Sequence, residues 1–279
     1  MPLVTTEEIV RDAHGAGRGV AAFNVITLEH AEAIVLGAEH ARVPVVLQIS
    51  QNAVKFHGGR LGPVAAAARA VAAEAKVDVS VHLDHVDDPG LLHQTAGCGL
   101  SSVMFDASHL DYADNVAATE AAATWAHGHG LFIEAELGKV GGKDGAHAPG
   151  VRTDPSEAQD FVARTGVDAL AVAVGSSHAM TDRSATLDLD LVTTLARAVD
   201  VPLVLHGSSG VPDEMLGQAV RAGMVKINIG TILNVAFTGA VRSVLSADDA
   251  VVDPRKYIAP GRQQMVEVVQ RLAGIVGRS

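Results

Sequence analysis

The sequence predicts an α/β protein, a single (β/α)8 barrel with additional terminal helices, formed by residues 1–279 as one domain. Three observations predict it. Eight short apolar runs follow one another, and between successive runs lie stretches long enough for a helix. The runs are near-continuously apolar rather than alternating, as strands covered on both faces require. A chain of 279 residues suits one barrel of about 250 residues plus a terminal extension.

The eight strands are expected at residues 20–25, 44–50, 79–84, 102–107, 131–137, 169–174, 202–205 and 224–229. Helix-start signals fall before and between them. Thr5-Thr6-Glu7-Glu8 reads as a capping box ahead of the first strand. Thr27 stands before Leu28-Glu29, Asp154-Pro155-Ser156-Glu157 combines a cap with Pro at the first helical position, and Val211-Pro212-Asp213-Glu214 opens a further helix. No Pro/Ser-rich linker divides the chain. The stretch 138–150 is too glycine-rich for helix or strand and is expected to be a mobile loop over the site. From Asp253 to the end the pattern is an extra helix after the eighth strand, available for packing or dimerisation.

Composition narrows the function classes. Hydrophobic residues make up 48% and charged residues 19%, enough to bury a large core. Aromatics are only 3%, so small residues must pack closely between strands and helices. A net charge of −11 argues against nucleic acid or an anionic membrane surface as partner, because either would need clustered Lys and Arg. Any phosphate must be held locally. Cys98 is the only cysteine, which excludes an intrachain disulfide and a cysteine-based zinc motif. No apolar run approaches the roughly 18 residues of a membrane span. The first residues carry no basic segment followed by an apolar one, and a cytoplasmic protein is expected.

Three strands finish on histidine. Val79 to Leu83 runs into the packed cluster His82-Leu83-Asp84-His85, a second run leads through Gly175-Ser176-Ser177 to His178, and a third ends at His206. A lone strand-end histidine is ordinarily a hydrogen-bonded structural residue. Three in one topological position, one beside an aspartate, are what a catalytic zinc needs: three imidazole ligands and an open fourth position. On an ideal strand His82 and Asp84 share a face, while His85 lies just beyond, where the chain turns. His85 is therefore assigned to the metal, Asp84 to proton transfer, and His82 to the interior, where it can orient a neighbouring ligand.

Further polar residues gather at the same ends. Gly207-Ser208-Ser209-Gly210 follows His206, and Lys226-Ile227-Asn228-Ile229-Gly230-Thr231 closes the eighth strand. Backbone N–H groups there, with the Ser209 and Thr231 hydroxyls, make a phosphate cradle where barrels commonly have one. Asn24 and Ser50 end the first two strands. Asp106 follows the fourth, Glu134 and Glu136 share one side of the fifth, and Asp144 lies in the glycine-rich loop. Burying two carboxylates is costly, so a cation or hydrogen-bond donors should stand beside Glu134 and Glu136. A second, transient metal position at Asp106 and Glu136 follows from the same reasoning.

Taken together, His82-Leu83-Asp84-His85, Glu134-Ala135-Glu136-Leu137-Gly138 with Gly141-Gly142, Gly175-Ser176-Ser177-His178, His206-Gly207-Ser208-Ser209-Gly210 and Lys226-Ile227-Asn228-Ile229 resemble the class II, zinc-dependent ketose-bisphosphate aldolases. The match runs from Phe23-Asn24 to Asp253-Pro254-Arg255. The resemblance implies a TIM barrel that reversibly cleaves fructose or tagatose 1,6-bisphosphate to dihydroxyacetone phosphate and glyceraldehyde 3-phosphate. It implies zinc on His85, His178 and His206, Asp84 exchanging the proton of the aldol oxygen, and Asp144 as the loop acid for the dihydroxyacetone phosphate proton. Gly207, Ser209, Asn228 and Thr231 would contact that substrate's phosphate, helped by a monovalent cation, Na+ or K+. A homodimer or homotetramer is expected.

The chain departs from the family pattern at three places. Ala179 replaces the usual Gly after the second histidine, shifting a backbone contact to phosphate or cation. Lys143-Asp144 stands where the loop usually has glutamate. Gly230 replaces an aspartate that reads a sugar hydroxyl in the fructose-specific long-chain members, which makes the chain more like the shorter, tagatose-like branch. The alternatives are another phosphosugar, such as an inositol-catabolism intermediate, a lysine Schiff-base aldolase using Lys226, and a non-catalytic phosphosugar-binding barrel.

Overall fold

The structure, a computed structural model, describes residues 2–137, 152–176 and 183–279. Asp144, His178 and Ala179 lie outside the described residues, as does the loop 138–150. The described elements run α1 (Thr6–Gly15), β1 (Val20–Asn24), α2 (Leu28–Ala41), β2 (Val45–Ser50), α3 (Gln51–Phe56), α4 (Leu61–Ala73), β3 (Val79–Val86), α5 (Pro89–Leu92) and β4 (Ser102–Phe105). They continue α6 (Tyr112–Gly128), β5 (Phe132–Glu136), α7 (Pro155–Thr165), β6 (Ala169–Ala171), α8 (Leu189–Ala198), β7 (Leu203–Leu205), α9 (Asp213–Ala222), β8 (Met224–Ile229), α10 (Thr231–Ala247) and α11 (Arg255–Arg278). All eight strands are parallel, and β8 pairs with β1 to close the barrel. Among the described residues no helix is long and apolar enough to cross a membrane.

Capping reads as the sequence implies at three starts. Thr5 and Glu8 form the reciprocal capping box of α1, with Glu8 N–H to Thr5 Oγ1 at 3.2 Å and Thr5 N–H to Glu8 Oε2 at 2.7 Å. Thr27 caps α2, and the Asp154 carboxylate accepts from Ser156 and Glu157 at the start of α7. The α9 start differs. No side chain caps it, and Asp213 instead pairs with Arg183 and Arg271.

Two apolar layers position the site. The outward strand residues pack beneath the helices, and α11 closes over α2 so tightly that a Cβ on Gly37 would stand 2.6 Å from Val269. Ile9, Val10 and Ala13 of α1 pack against inward residues Val20, Ala22, Val46, Phe132, Ala169, Ala171, Val204 and Val225. One end of the barrel is thereby sealed. The strands' C-terminal ends form the open mouth, as in barrels generally.

Several strand ends depart from expectation by a residue or more, β4 stopping at Phe105 rather than 107 and β6 and β3 for reasons the structure shows. β6 stops at Ala171, because Ala173 exchanges backbone and side-chain hydrogen bonds with Thr153 rather than continuing the sheet. The bend that follows needs Gly175, at φ +119°, where a Cβ would meet the Thr186 carbonyl oxygen at 2.5 Å. β3 runs longer than expected, through His85 to Val86.

Candidate active site at the barrel mouth

The extension of β3 is what brings Asp84 and His85 to one place. Leu83 pairs with Val103 and Val86 with Phe105, so Asp84 and His85 together oppose the single residue Met104. This β-bulge bends the strand, and His85 absorbs the bend with φ +50°, a left-handed conformation in which histidine is enriched. On a regular strand the two side chains would point to opposite faces. Here donor atoms of Asp84, His85 and His206 all lie within 4.8 Å of one another. His206 comes from the end of β7, and its ring meets that of His85 edge-on, with centroids 4.6 Å apart.

Carboxylates fix both rings. His85 Nδ1 lies 2.9 Å from Asp106 Oδ2, while Asp106 Oδ1 accepts from the Ser108 hydroxyl at 2.7 Å and its N–H at 3.1 Å. His206 Nδ1 lies 2.9 Å from Glu136 Oε2, and Nε2 lies 2.8 Å from Glu134 Oε1. A carboxylate only accepts, so both His206 nitrogens donate. Burial alone would push this imidazole's pKa down, but the two carboxylates outweigh it and raise it to about 10. Glu134 and Glu136 thus have the donors their burial requires, with Lys226 Nζ a further one for Glu134 at 2.7 Å.

Asp84 accepts from Asn228 Nδ2 at 3.3 Å. Its burial favours the neutral acid, yet the nearby cationic and imidazole groups of His85, Lys226, His206 and His82 hold its pKa below the ordinary value. His82 is interior, as expected from its strand position. It is fully buried, with Nδ1 2.8 Å from Ser102 Oγ, and burial together with Lys226 lowers its pKa to about 3. His82 therefore stays a neutral neighbour of Asp84 at any ordinary pH.

Of these groups Asp84, His85, Asp106, Glu136 and Asn228 line a cavity of about 600 Å³. Asn24, Ser50, Asp84, His85, Asp106, Glu136, Gly207, Ser209, Asn228, Gly230 and Thr231 all border it. Gly207 takes φ +65°, which turns the chain from His206 into the short 3-10 turn Ser208–Gly210. Across from it Thr231 begins α10, whose first N–H groups have no partner within the helix, and Ser209 Oγ accepts from Ile232 N–H at 3.4 Å. The arrangement turns backbone N–H groups and hydroxyls toward the cavity, a chemistry that suits an anion. A Cβ on Gly230 would stand 2.7 Å from Asn24 Nδ2, so a side chain there would have to displace the Asn24 amide. Asn24 Oδ1 in turn accepts from Gln48.

Sequence reasoning missed part of the wall. Gln51, Asn52, Lys55, Asp87 and Ser108 also border the cavity, and Gln51 Nε2 donates to Asp87 Oδ1 at 2.5 Å. The polar run Ser50-Gln51-Asn52 directly after an apolar strand was the available signal. Lys55 is exposed on α3 and is the cation of this wall among the described residues.

The donor set suits zinc. Imidazole nitrogens with carboxylate oxygens are its usual protein ligands, and a second group, His85, Asp106 and Glu136, also brings its donor atoms within 4.8 Å. The cavity is bordered by Asp84 and by all three residues of the second group.

A family model described as "Fructose-bisphosphate aldolase class-II" matches residues 4–279. A Bacillus subtilis (strain 168) protein named "Probable fructose-bisphosphate aldolase" is 38% identical over 273 residues, covering 96% of this chain and 95% of the relative. The crystal structure of the YdjI aldolase from Escherichia coli K12 superposes with a TM-score of 0.84 at 29% identity, covering 99% of this chain and 97% of that one. A fructose-bisphosphate aldolase structure from Campylobacter jejuni shares the fold, with a TM-score of 0.82 at 22% identity over 98% of this chain and 95% of its own.

Proposed function

This chain belongs to the class-II fructose-bisphosphate aldolase family, and from that premise we propose that it reversibly cleaves a ketose 1,6-bisphosphate, fructose or tagatose, on a zinc ion. The products are dihydroxyacetone phosphate and glyceraldehyde 3-phosphate. The observation that carries the reading is that donor atoms of Asp84, His85 and His206 lie within 4.8 Å of one another, with Asp84 and His85 bordering a cavity beside backbone N–H groups and hydroxyls that suit an anion. His85 and His206 would hold the metal, with His178, which lies outside the described residues, as the third imidazole. Bound zinc supplies a Lewis acid for the negative charge that develops on the substrate's carbonyl oxygen.

The chain's own residues supply the rest. The cradle at Gly207, Ser209 and Thr231 holds the phosphate of the dihydroxyacetone half, which sets the carbonyl toward the imidazoles. Asp84 takes the proton of the C4 hydroxyl during cleavage and returns it during condensation. Its lowered pKa keeps it ready as a base, and Asn228 fixes the carboxylate. Lys55 stands where it can meet the second phosphate at the outer wall. Asp144 keeps the role of exchanging the C3 proton. A monovalent cation, Na+ or K+, would join the phosphate at the cradle.

A Schiff-base reaction at Lys226 has less support. Its Nζ is enclosed, bound to Glu134, and does not border the cavity.

Steady-state cleavage of fructose and tagatose bisphosphates side by side tests the reading. With Gly230 filling the gap against Asn24, no side chain there reads a sugar hydroxyl, so the two specificity constants should differ by well under about 10³. Turnover of neither would remove the proposal, and a fructose preference above about 10³ would remove its account of specificity.

A further inference from the structure

Barrel interiors are ordinarily filled with branched apolar side chains. Below this mouth the filling includes Gln48, His82, Glu134 and Lys226, all buried. A lysine with no exposure to solvent must be paired, and Lys226 Nζ donates to Glu134 Oε2 at 2.7 Å. The other Glu134 oxygen faces His206 Nε2 at 2.8 Å, which links β8, β5 and β7 in one line. The two carboxylates on His206 are not equivalent. Glu134 is enclosed and anchored by Lys226, whereas Glu136 borders the cavity and stands among the donors of the second group.

We propose that Lys226 is a positioning residue: through Glu134 it keeps a proton on Nε2 of His206 and turns Nδ1 toward the mouth as the nitrogen that holds metal. The proposal rests on His206 being a metal-holding residue, as set out above. A carboxylate can only accept, so an anchored Glu134 demands Nε2–H; the proton that Nδ1 gives to Glu136 is then the one that leaves when metal binds, which puts the lone pair on Nδ1 alone. The lysine does two things here. It fixes the carboxylate's orientation by occupying the far oxygen, and it balances a charge that could not otherwise stay buried.

Amide substitution separates this from a merely structural role. In Glu134→Gln, Lys226 claims the amide oxygen and points the NH2 at Nε2, which must then accept, so the ring proton moves to Nδ1. Zinc affinity, measured by competition with a chromogenic chelator, should fall about ten- to hundred-fold. In Glu134→Gln with Lys226→Met the amide is free to turn its oxygen to Nε2–H, and most of the loss should be recovered. An unchanged affinity in the single variant, or no recovery in the double, overturns the proposal.

If the lysine variant does not fold, 15N NMR of histidine-labelled, zinc-loaded wild-type protein decides. The His206 signals, assigned by their absence from His206→Asn, should show Nε2 protonated and Nδ1 bearing the metal, and the reverse assignment overturns the proposal. Zinc binding that survives His206→Ala intact would instead overturn the reading of the site itself.

Discussion

Asp84 sits where two uses of a carboxylate meet, because it lies among metal-competent donors and also faces the Asn228 amide. Proton transfer requires it to stay off the metal. Asp84→Ala is therefore expected to keep zinc and fold while losing on the order of 10² or more in turnover, read by metal content and kcat together. Zinc lost along with activity would make Asp84 a ligand. Lys55→Ala should raise KM for the bisphosphate about tenfold or more, the worth of one charged hydrogen bond, and leave proton exchange on dihydroxyacetone phosphate unchanged. Equal effects on both substrates would place Lys55 at the wrong phosphate. The gathering of Asp84, His85 and His206 at strand ends was legible in the sequence because each closes an apolar run. The Lys226 to Glu134 to His206 line was not, since its members are up to 92 residues apart and meet only when the barrel closes. What the sequence did carry was the demand that Glu134 and Glu136 have donors.

Among the elements, β3 and α1 govern the two ends of the barrel. The β3 bulge was invisible in the sequence, because nothing in Asp84-His85 announces that a histidine will take φ +50°. A regular strand read from periodicity puts His85 beyond its end, whereas the observed strand carries it to Val86. The start of α1 was fully legible, its capping box being a local pattern of four residues. That helix seals the end opposite the chemistry, so stability and activity separate there. Ile9→Ala empties a position that is 4% exposed and should cost about 2–5 kcal/mol in denaturant unfolding, while KM and kcat stay near wild type. A large change in kcat with intact stability would mean that the seal reaches the mouth.

For the whole molecule, the eight apolar runs were enough to give the closed parallel barrel, because strands covered on both faces cannot be mistaken for alternating ones. Their ends were less legible, as at β6, where Thr153 competes for the backbone of Ala173. Under the proposed function a chain of net charge −11 would bind a sugar carrying two phosphates against its own overall field. The proposal gives that task to local devices: a backbone cradle, a wall lysine and a metal site at one mouth. The proposed zinc dependence would join these parts into one chemistry and can be read in a single titration. Ketose-bisphosphate cleavage should vanish when a chelator strips the protein and should return in proportion to added zinc, reaching its plateau near one ion per chain. Activity that persists without metal, with substrate trapped on the protein by borohydride, would contradict it.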